Sequence, residues 1–350
     1  MKLLFIPHVP NLGVVNRVYE FARYTGGYFL SWQIDNSTFA RKVVSQLRSL
    51  RPHQDGRTVQ IPLLFKPERA AAGFNTSMLN RLVERLRVDA VVNANALLFD
   101  VGRIEAPVVY DLVDDHLAVN PGIGLTEKRV AKIREDLRRS RGVVCVSEPL
   151  RAKVLPLNPR AVTIENGVSP ERFERAESLK KPLGLAGKKV FGYIGGVEPW
   201  TGLEAACESF MRIRDPGNAM IVVGGSRAAY YRNLKKRFGN EILFAGPVAP
   251  EKVADWFKTL DVGLIPFERN DFTDNALPIK ALEYALAGAS VLSTPLAYLR
   301  RKGYPFVRFC EISEFAECMA AQPPAWHYDF TSCGWEKRAG ELLSFVKGSL

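Results

Sequence analysis

Short apolar runs alternate with segments of helical periodicity along almost the whole chain, and this alternation restricts the fold more than any other feature. In the first half the runs are Leu3–Ile6, Tyr28–Trp32, Val59–Ile61, Ala90–Val92, Val108–Asp111, Val143–Val146 and Val162–Ile164. In the second half they are Val190–Ile194, Met220–Val223, Ile242–Ala245, Val262–Ile265 and Val291–Ser293. Several are continuous in Val, Ile and Leu, as expected of parallel strands covered on both faces. Stretches of roughly 10–15 helical residues separate many of them, which implies βαβ units and doubly wound sheets in an α/β protein. At 350 residues the chain exceeds one ordinary core and suits two α/β domains.

The pattern breaks between Asn166 and Lys188. Gly167-Val168-Ser169-Pro170, a charged run and Lys180-Lys181-Pro182-Leu183-Gly184 precede a fresh strand at Val190. The predicted organisation is a domain over 1–167, a second over 168–331, and a closing helix over 332–350. Ligands of open α/β sheets sit at the carboxyl ends of the strands, where helix N-termini converge. A cleft between two such sheets is therefore the expected site.

No stretch approaches the ~20 apolar residues of a membrane-spanning helix. Met1-Lys2-Leu3-Leu4-Phe5-Ile6 resembles a signal peptide only superficially, because Pro7 ends its apolar run and no small-residue cleavage site follows. Five scattered cysteines without a CxxC pair argue against a disulfide framework or zinc site and fit a reducing cytoplasm. The net charge is +11, and residues 1–170 hold 24 Lys and Arg against 16 Asp and Glu. The densest basic segment, 128–141, carries Lys128, Arg129, Lys132, Arg134, Arg138, Arg139 and Arg141. With Val130, Ile133, Leu137 and Val144 as its apolar positions, it reads as a helix with a basic outer face. That face is either solvated or set against an anionic membrane surface, where each basic residue contributes ~1 kcal/mol. Nucleic acid is poorly supported, since no aromatic platform or recognised binding motif accompanies the charge.

The most informative segment is Asn275-Ala276-Leu277-Pro278-Ile279-Lys280-Ala281-Leu282-Glu283-Tyr284-Ala285-Leu286-Ala287-Gly288. Pro278 suits a first helical position, Gly288 a helix end, and Asp274 or Asn275 an N-cap. A helix opening at a strand's carboxyl end is a ready phosphate site. Lys280 and Glu283 share a face. They are either a surface ion pair or a diphosphate-binding cation beside a carboxylate that accepts from ribose hydroxyls.

From Leu277 to Thr294 the chain resembles the donor-site helix of the large retaining GT-B glycosyltransferase family. Ile164-Glu165-Asn166-Gly167-Val168 with Phe173 resembles that family's domain junction. Phe191-Gly192-Tyr193-Ile194-Gly195-Gly196 resembles the first strand and turn of its C-terminal domain. Val222-Val223-Gly224-Gly225 and Phe244-Ala245-Gly246-Pro247-Val248 match later landmarks, and Val144 to Leu150 resembles its last N-domain strand and following helix. The resemblance covers about residues 90–300. It implies two Rossmann-like domains facing a cleft, with a UDP- or GDP-linked sugar donor held as substrate mainly by the C-terminal one. It also implies retention of configuration, no bound metal and no separate cofactor. Gly195, Gly196, Gly224, Leu277, Lys280 and Glu283 fall on its donor site. Three positions depart from the pattern. Asn275 stands where the family often has Glu, with Asp274 a possible substitute, and Gly196 and Thr201 stand where it often has the Arg and Lys that neutralise diphosphate. Lys280 and Arg227 are the candidate replacements.

The N-terminal half is expected to hold the acceptor, a glycan or lipid-linked hydroxyl. Val108-Val109-Tyr110-Asp111-Leu112-Val113-Asp114-Asp115-His116 places acidic and imidazole groups at a strand exit and resembles a "YD-x-x-DD" run of teichuronic-acid-type members. Asp114, Asp115 or His116 could orient or deprotonate an acceptor hydroxyl. Alternatively, Asp114 caps the next segment and His116 is merely exposed. The adjacent aspartates lack the DxD spacing of metal-dependent transferases. Gly13, after the first strand, would allow close backbone approach at a helix start, although its surroundings are neither GxGxxG nor a P-loop. The segment from Ser332 is expected to start a helix, Trp335 to Val346, that returns to the N-terminal domain. Two other readings are a nucleotide-sugar epimerase of the same fold and a non-catalytic nucleotide-sugar-binding protein. As a transferase, the chain is expected in the cytoplasm or at the inner face of the membrane.

Overall fold

The computed structural model describes residues 1–8, 17–32, 52–65, 68–225 and 229–350. The chain divides into two compact units, Met1–Asn166 with Trp335–Leu350, and Gly167–Gly334. Each is built on a mainly parallel sheet.

The first unit contains β1 (Leu3–Ile6), β2 (Tyr28–Leu30), β3 (His53–Asp55), β4 (Thr58–Gln60), β5 (Ala90–Asn93), β6 (Val108–Leu112), β7 (Gly142–Cys145) and β8 (Ala161–Thr163), in the order β3-β4-β2-β1-β5-β6-β7-β8. β1, β5, β6 and β7 are buried along their whole length. This is the reason their Val, Ile and Leu runs do not alternate with polar residues. Only β3 is antiparallel to its neighbour. It is polar and exposed, so hydrophobic patterning misses it, yet Asp55-Gly56 is a hairpin signature and Gly56 has φ +55°.

Helix α1 (Arg17–Thr25) follows β1, and α2 (Glu127–Arg139) follows β6. Thr126 caps α2 by accepting from the Arg129 N–H. Val130, Ile133 and Leu137 are buried, as their spacing requires. The helix stops at Arg139, however, and Val144 belongs to β7 rather than to its apolar stripe. The C-terminal helix runs from Trp335 to Ser349 and packs against α1, with Trp335 edge-on to Phe21 at 5.5 Å.

The second unit contains β9 (Lys189–Gly195), β10 (Asn218–Gly224), β11 (Leu243–Gly246), β12 (Val262–Ile265), β13 (Ser290–Ser293) and β14 (Val307–Phe309), ordered β11-β10-β9-β12-β13-β14 and parallel throughout. Helices α3 (Leu203–Ile213) and α4 (Ile279–Leu286) belong to this unit. Ala281, Leu282, Tyr284 and Ala285 of α4 are buried. Gly263 in β12 makes room for the Tyr284 ring, which a Cβ there would strike. Tyr284 Oη accepts from the Ile194 N–H at 2.9 Å and donates to the Leu264 carbonyl at 3.4 Å, tying α4 to β9 and β12.

Candidate functional site

In each unit the strand order reverses once. In the second unit β9 leads to β10 and β11 on one side, while β12, β13 and β14 extend on the other. Connections leaving adjacent carboxyl ends in opposite directions open a crevice there. β9 ends in Gly195, φ +146°, where a Cβ would lie 2.9 Å from Lys280 Nζ. β10 ends in Gly224, φ +102°, where a Cβ would collide with the Gly195 carbonyl. Both turns need glycine because backbone meets its neighbours closely there. Gly196 has open space around it.

Lys280 enters this crevice from the first turn of α4. Its Nζ donates to Tyr193 Oη at 3.0 Å and lies 4.2 Å from the Tyr193 ring centroid and 4.8 Å from that of Phe267. Tyr193 Oη in turn donates to the Gly196 carbonyl at 2.6 Å. Among the described residues no carboxylate lies within ion-pair distance of Nζ, so the surface ion pair with Glu283 does not form. Burial pushes the Lys280 ammonium down to about 7, while the Glu283 charge pulls it back upward. A cation held against aromatic faces and partly stripped of water can gain strongly from an incoming anion. The Ile279 and Lys280 N–H groups precede the first hydrogen bond of α4, which Ala281 N–H donates to the Pro278 carbonyl at 3.0 Å. Glu283 is half-buried, one turn further along the same face.

Three details differ from sequence expectations. The N-cap of α4 is Pro278, without a side-chain cap, so neither Asp274 nor Asn275 fills that role. Asp274 Oδ1 instead accepts from the Ala297 N–H at 2.8 Å and lies 3.5 Å from Arg269 Nε. Asn275 Nδ2 donates to the Asp271 carbonyl at 2.7 Å. The Leu277 side chain is in the core, leaving only its backbone for a ligand. Arg227 and Gly13 lie outside the described residues.

In the first unit the order reverses between β1 and β5. His8 lies just beyond β1, Asn93 and Asn95 at the end of β5, and Asp114, Asp115 and His116 just beyond β6. The foundation is a buried ion pair. Arg17 Nε is 3.0 Å from both Asp111 oxygens, Nη2 donates to the Ile164 carbonyl at 2.6 Å, and Nη1 to Asn166 Oδ1 at 3.3 Å. Asp115 is also committed: Oδ2 accepts from Lys153 Nζ at 2.6 Å and Oδ1 from the Leu117 N–H at 3.2 Å. The capping role considered for Asp114 thus belongs to Asp115.

Asp114 is half-buried, and its carboxylate has no hydrogen-bond donor among the described residues. Burial, and then the neighbouring Asp115 charge, push its carboxyl up to about 7. His116 is half-buried, and burial lowers its pKa although Asp115 opposes the shift. Close to these groups lies His8, which sequence reasoning missed as a site residue. Burial, then His116 and Arg17, push it down to about 4, so it is neutral at ordinary pH. Its Nδ1 is buried without a hydrogen-bond partner among the described residues, a condition that costs about 1–3 kcal/mol. The only sequence signal was a histidine immediately after the first strand.

Two units of this construction, each with its crevice at the strand reversal, make the GT-B fold of glycosyltransferases. Solved structures agree along essentially the whole chain. Sucrose-phosphate synthase of Thermosynechococcus elongatus superposes with a TM-score of 0.72 at 12% identity, covering 99% of this chain and 98% of that one. HepE of Anabaena, in complex with UDP-glucose, gives 0.67 at 15% identity over 100% and 98%. WaaG, a glycosyltransferase of lipopolysaccharide biosynthesis, gives 0.65 at 13% over 100% and 98%. In sequence, the chain is 24% identical over 179 residues to TuaH of Bacillus subtilis strain 168, named as a glycosyltransferase of teichuronic acid biosynthesis. The match takes in 49% of this chain and 44% of TuaH, so it spans less than half the length of that curated relative. No family model matches.

Proposed function

We propose that this chain is a glycosyltransferase, moving a sugar from a UDP- or GDP-linked donor to an acceptor hydroxyl with retention of configuration and without a resident metal. The observation that carries the reading is Lys280: an ammonium with no ion-paired carboxylate among the described residues, at the mouth of α4 against the Gly195-Gly196 turn. The leaving diphosphate develops negative charge as the glycosidic bond breaks, and a preplaced cation stabilises that charge more than it stabilises the ground state. Glu283 accepts from the ribose hydroxyls, and the glycine turns let backbone N–H groups approach the phosphates. Asp114, with its carboxyl held near neutrality, and His116 handle the acceptor hydroxyl, whose proton passes to the departing diphosphate oxygen during front-face attack.

The acceptor is a glycan or a lipid-linked sugar. No helix among the described residues is long and apolar enough to cross a membrane. Lys128, Arg134 and Arg138 lie exposed on α2. In this reading they rest on anionic head groups, and vesicles rich in phosphatidylglycerol should retain the protein at low salt and release it at high salt. The central test is a panel of UDP- and GDP-sugars with nucleotide release as readout, with and without octyl glycosides as acceptors. Sugar transfer supports the reading. Donor isomerisation without an acceptor would make the chain an epimerase, and binding without release would make it a non-catalytic binder.

A further inference from the structure

His8 has no role in the reading above, although it occupies the strand reversal of the first unit. β1 and β5 part there, and the Asn95 amide holds the backbone on both sides of the reversal by donating to the Pro7 and His8 carbonyls at 3.3 and 3.4 Å. Asn95 is itself locked by its Oδ1, which accepts from the Leu97 and Leu98 N–H groups at 2.9 and 2.8 Å. The imidazole therefore stands on a rigid base. Arg17, its cationic neighbour, directs Nε to Asp111, Nη1 to Asn166 and Nη2 to the Ile164 carbonyl rather than to His8. What remains is a buried nitrogen with hydrogen-bonding capacity that none of the described residues uses. Buried polar atoms are nearly always partnered, and one that is not leaves a hydrogen-bonding position open.

We propose that His8 is an acceptor-binding residue whose Nδ1 receives a hydrogen bond from a hydroxyl of the sugar acceptor. The inference rests on the glycosyltransferase reading and deepens it by assigning a residue to acceptor recognition. A neutral imidazole protonated on Nε2 presents Nδ1 as an acceptor, which suits a neutral polyol and offers nothing to a phosphate.

The chain contains four histidines, so ¹⁵N-histidine spectra of the full-length protein are simple to assign with His8→Asn. Octyl glycosides that the enzyme glycosylates, added with UDP, are expected to shift the His8 Nδ1 resonance. In kinetics, His8→Ala is expected to raise the KM for those glycosides at least tenfold, with UDP-glucose affinity within twofold of the original. His8→Asn places an amide near the position of Nδ1 and should recover most of the loss, whereas His8→Gln, which mimics Nε2, should not. Thermal melts check that each variant folds. A shiftless His8 resonance with a glycosylated octyl glycoside, or an unchanged acceptor KM in His8→Ala, overturns the proposal and leaves the transferase reading intact. A wild-type protein that binds no UDP and transfers from no donor overturns both.

Discussion

Lys280 offers the sharpest test of the donor site, because its charge is set by the crevice around it. Burial brings its pKa to about 7 in the free protein. Of the phenols beside it, Tyr193 and Tyr284 are both pushed above their ordinary range by burial and stay neutral. UDP-glucose carries a diphosphate esterified at both ends, so the charge of that diphosphate is constant from pH 5 to 9. If the diphosphate needs the ammonium form, affinity follows the protonated fraction. With a pKa of about 7 that fraction is about 0.9 at pH 6, about 0.5 at pH 7 and about 0.1 at pH 8. Affinity should then fall about tenfold, or ~1.4 kcal/mol, between pH 6 and pH 8, and about a hundredfold by pH 9. Binding should also draw about half a proton from solution at pH 7 and about 0.9 at pH 8. Calorimetry of UDP-glucose in buffers of different ionisation enthalpy reads both quantities. Lys280→Met should abolish the slope and the proton uptake. Tight binding that stays flat from pH 6 to 9, with no proton exchanged, would show that Lys280 does not meet the diphosphate.

Other consequences follow from the same geometry. Lys280 has a folded pKa below its unfolded value of 10.5, so its penalty on stability is complete below about pH 7 and fades as pH rises toward 10.5. Lys280→Met should therefore stabilise the fold on the order of 2 kcal/mol at pH 6, after discounting for partial solvent exposure, and by less at pH 9, in denaturant melts. Arg17→Met leaves the Asp111 charge buried and should cost about 3–5 kcal/mol, part of which Arg17→Met with Asp111→Asn regains. Gly224→Ala should cost stability and UDP-glucose affinity because of its positive φ and the Gly195 carbonyl, whereas Gly196→Ala should leave the melting temperature unchanged. Asp114 must lose its proton to act on an acceptor, so with saturating donor kcat should rise as pH increases through about 7. Asp114→Asn should lower kcat by up to about 10²-fold and flatten that rise, since the carboxylate orients the hydroxyl while its proton goes to the diphosphate.

The sequence by itself determined the elements and their class. Burial on both faces imprints unbroken apolar runs on β1, β5, β6 and β7, and a one-sided contact imprints the 3.6-residue period on α2. Both signals are local, so all twelve predicted strands occur within two residues of their positions. The polar hairpin strand β3 and the short strand β14 carry little apolar signal and went unseen. The Lys280-Glu283 pair was legible as two charges on one helical face. Their chemistry was not, because the depressed ammonium depends on Tyr193 and Phe267, 87 and 13 residues away in the chain. Adjacent aspartates look equivalent in sequence. Only tertiary structure gives Asp115 to Lys153 and leaves Asp114 to be raised chiefly by burial, since a carboxylate's proton affinity reports the solvent and charges that the fold sets around it. His8 shows the same division: the sequence supplies an imidazole, and the strand reversal buries its nitrogen with no partner among the described residues.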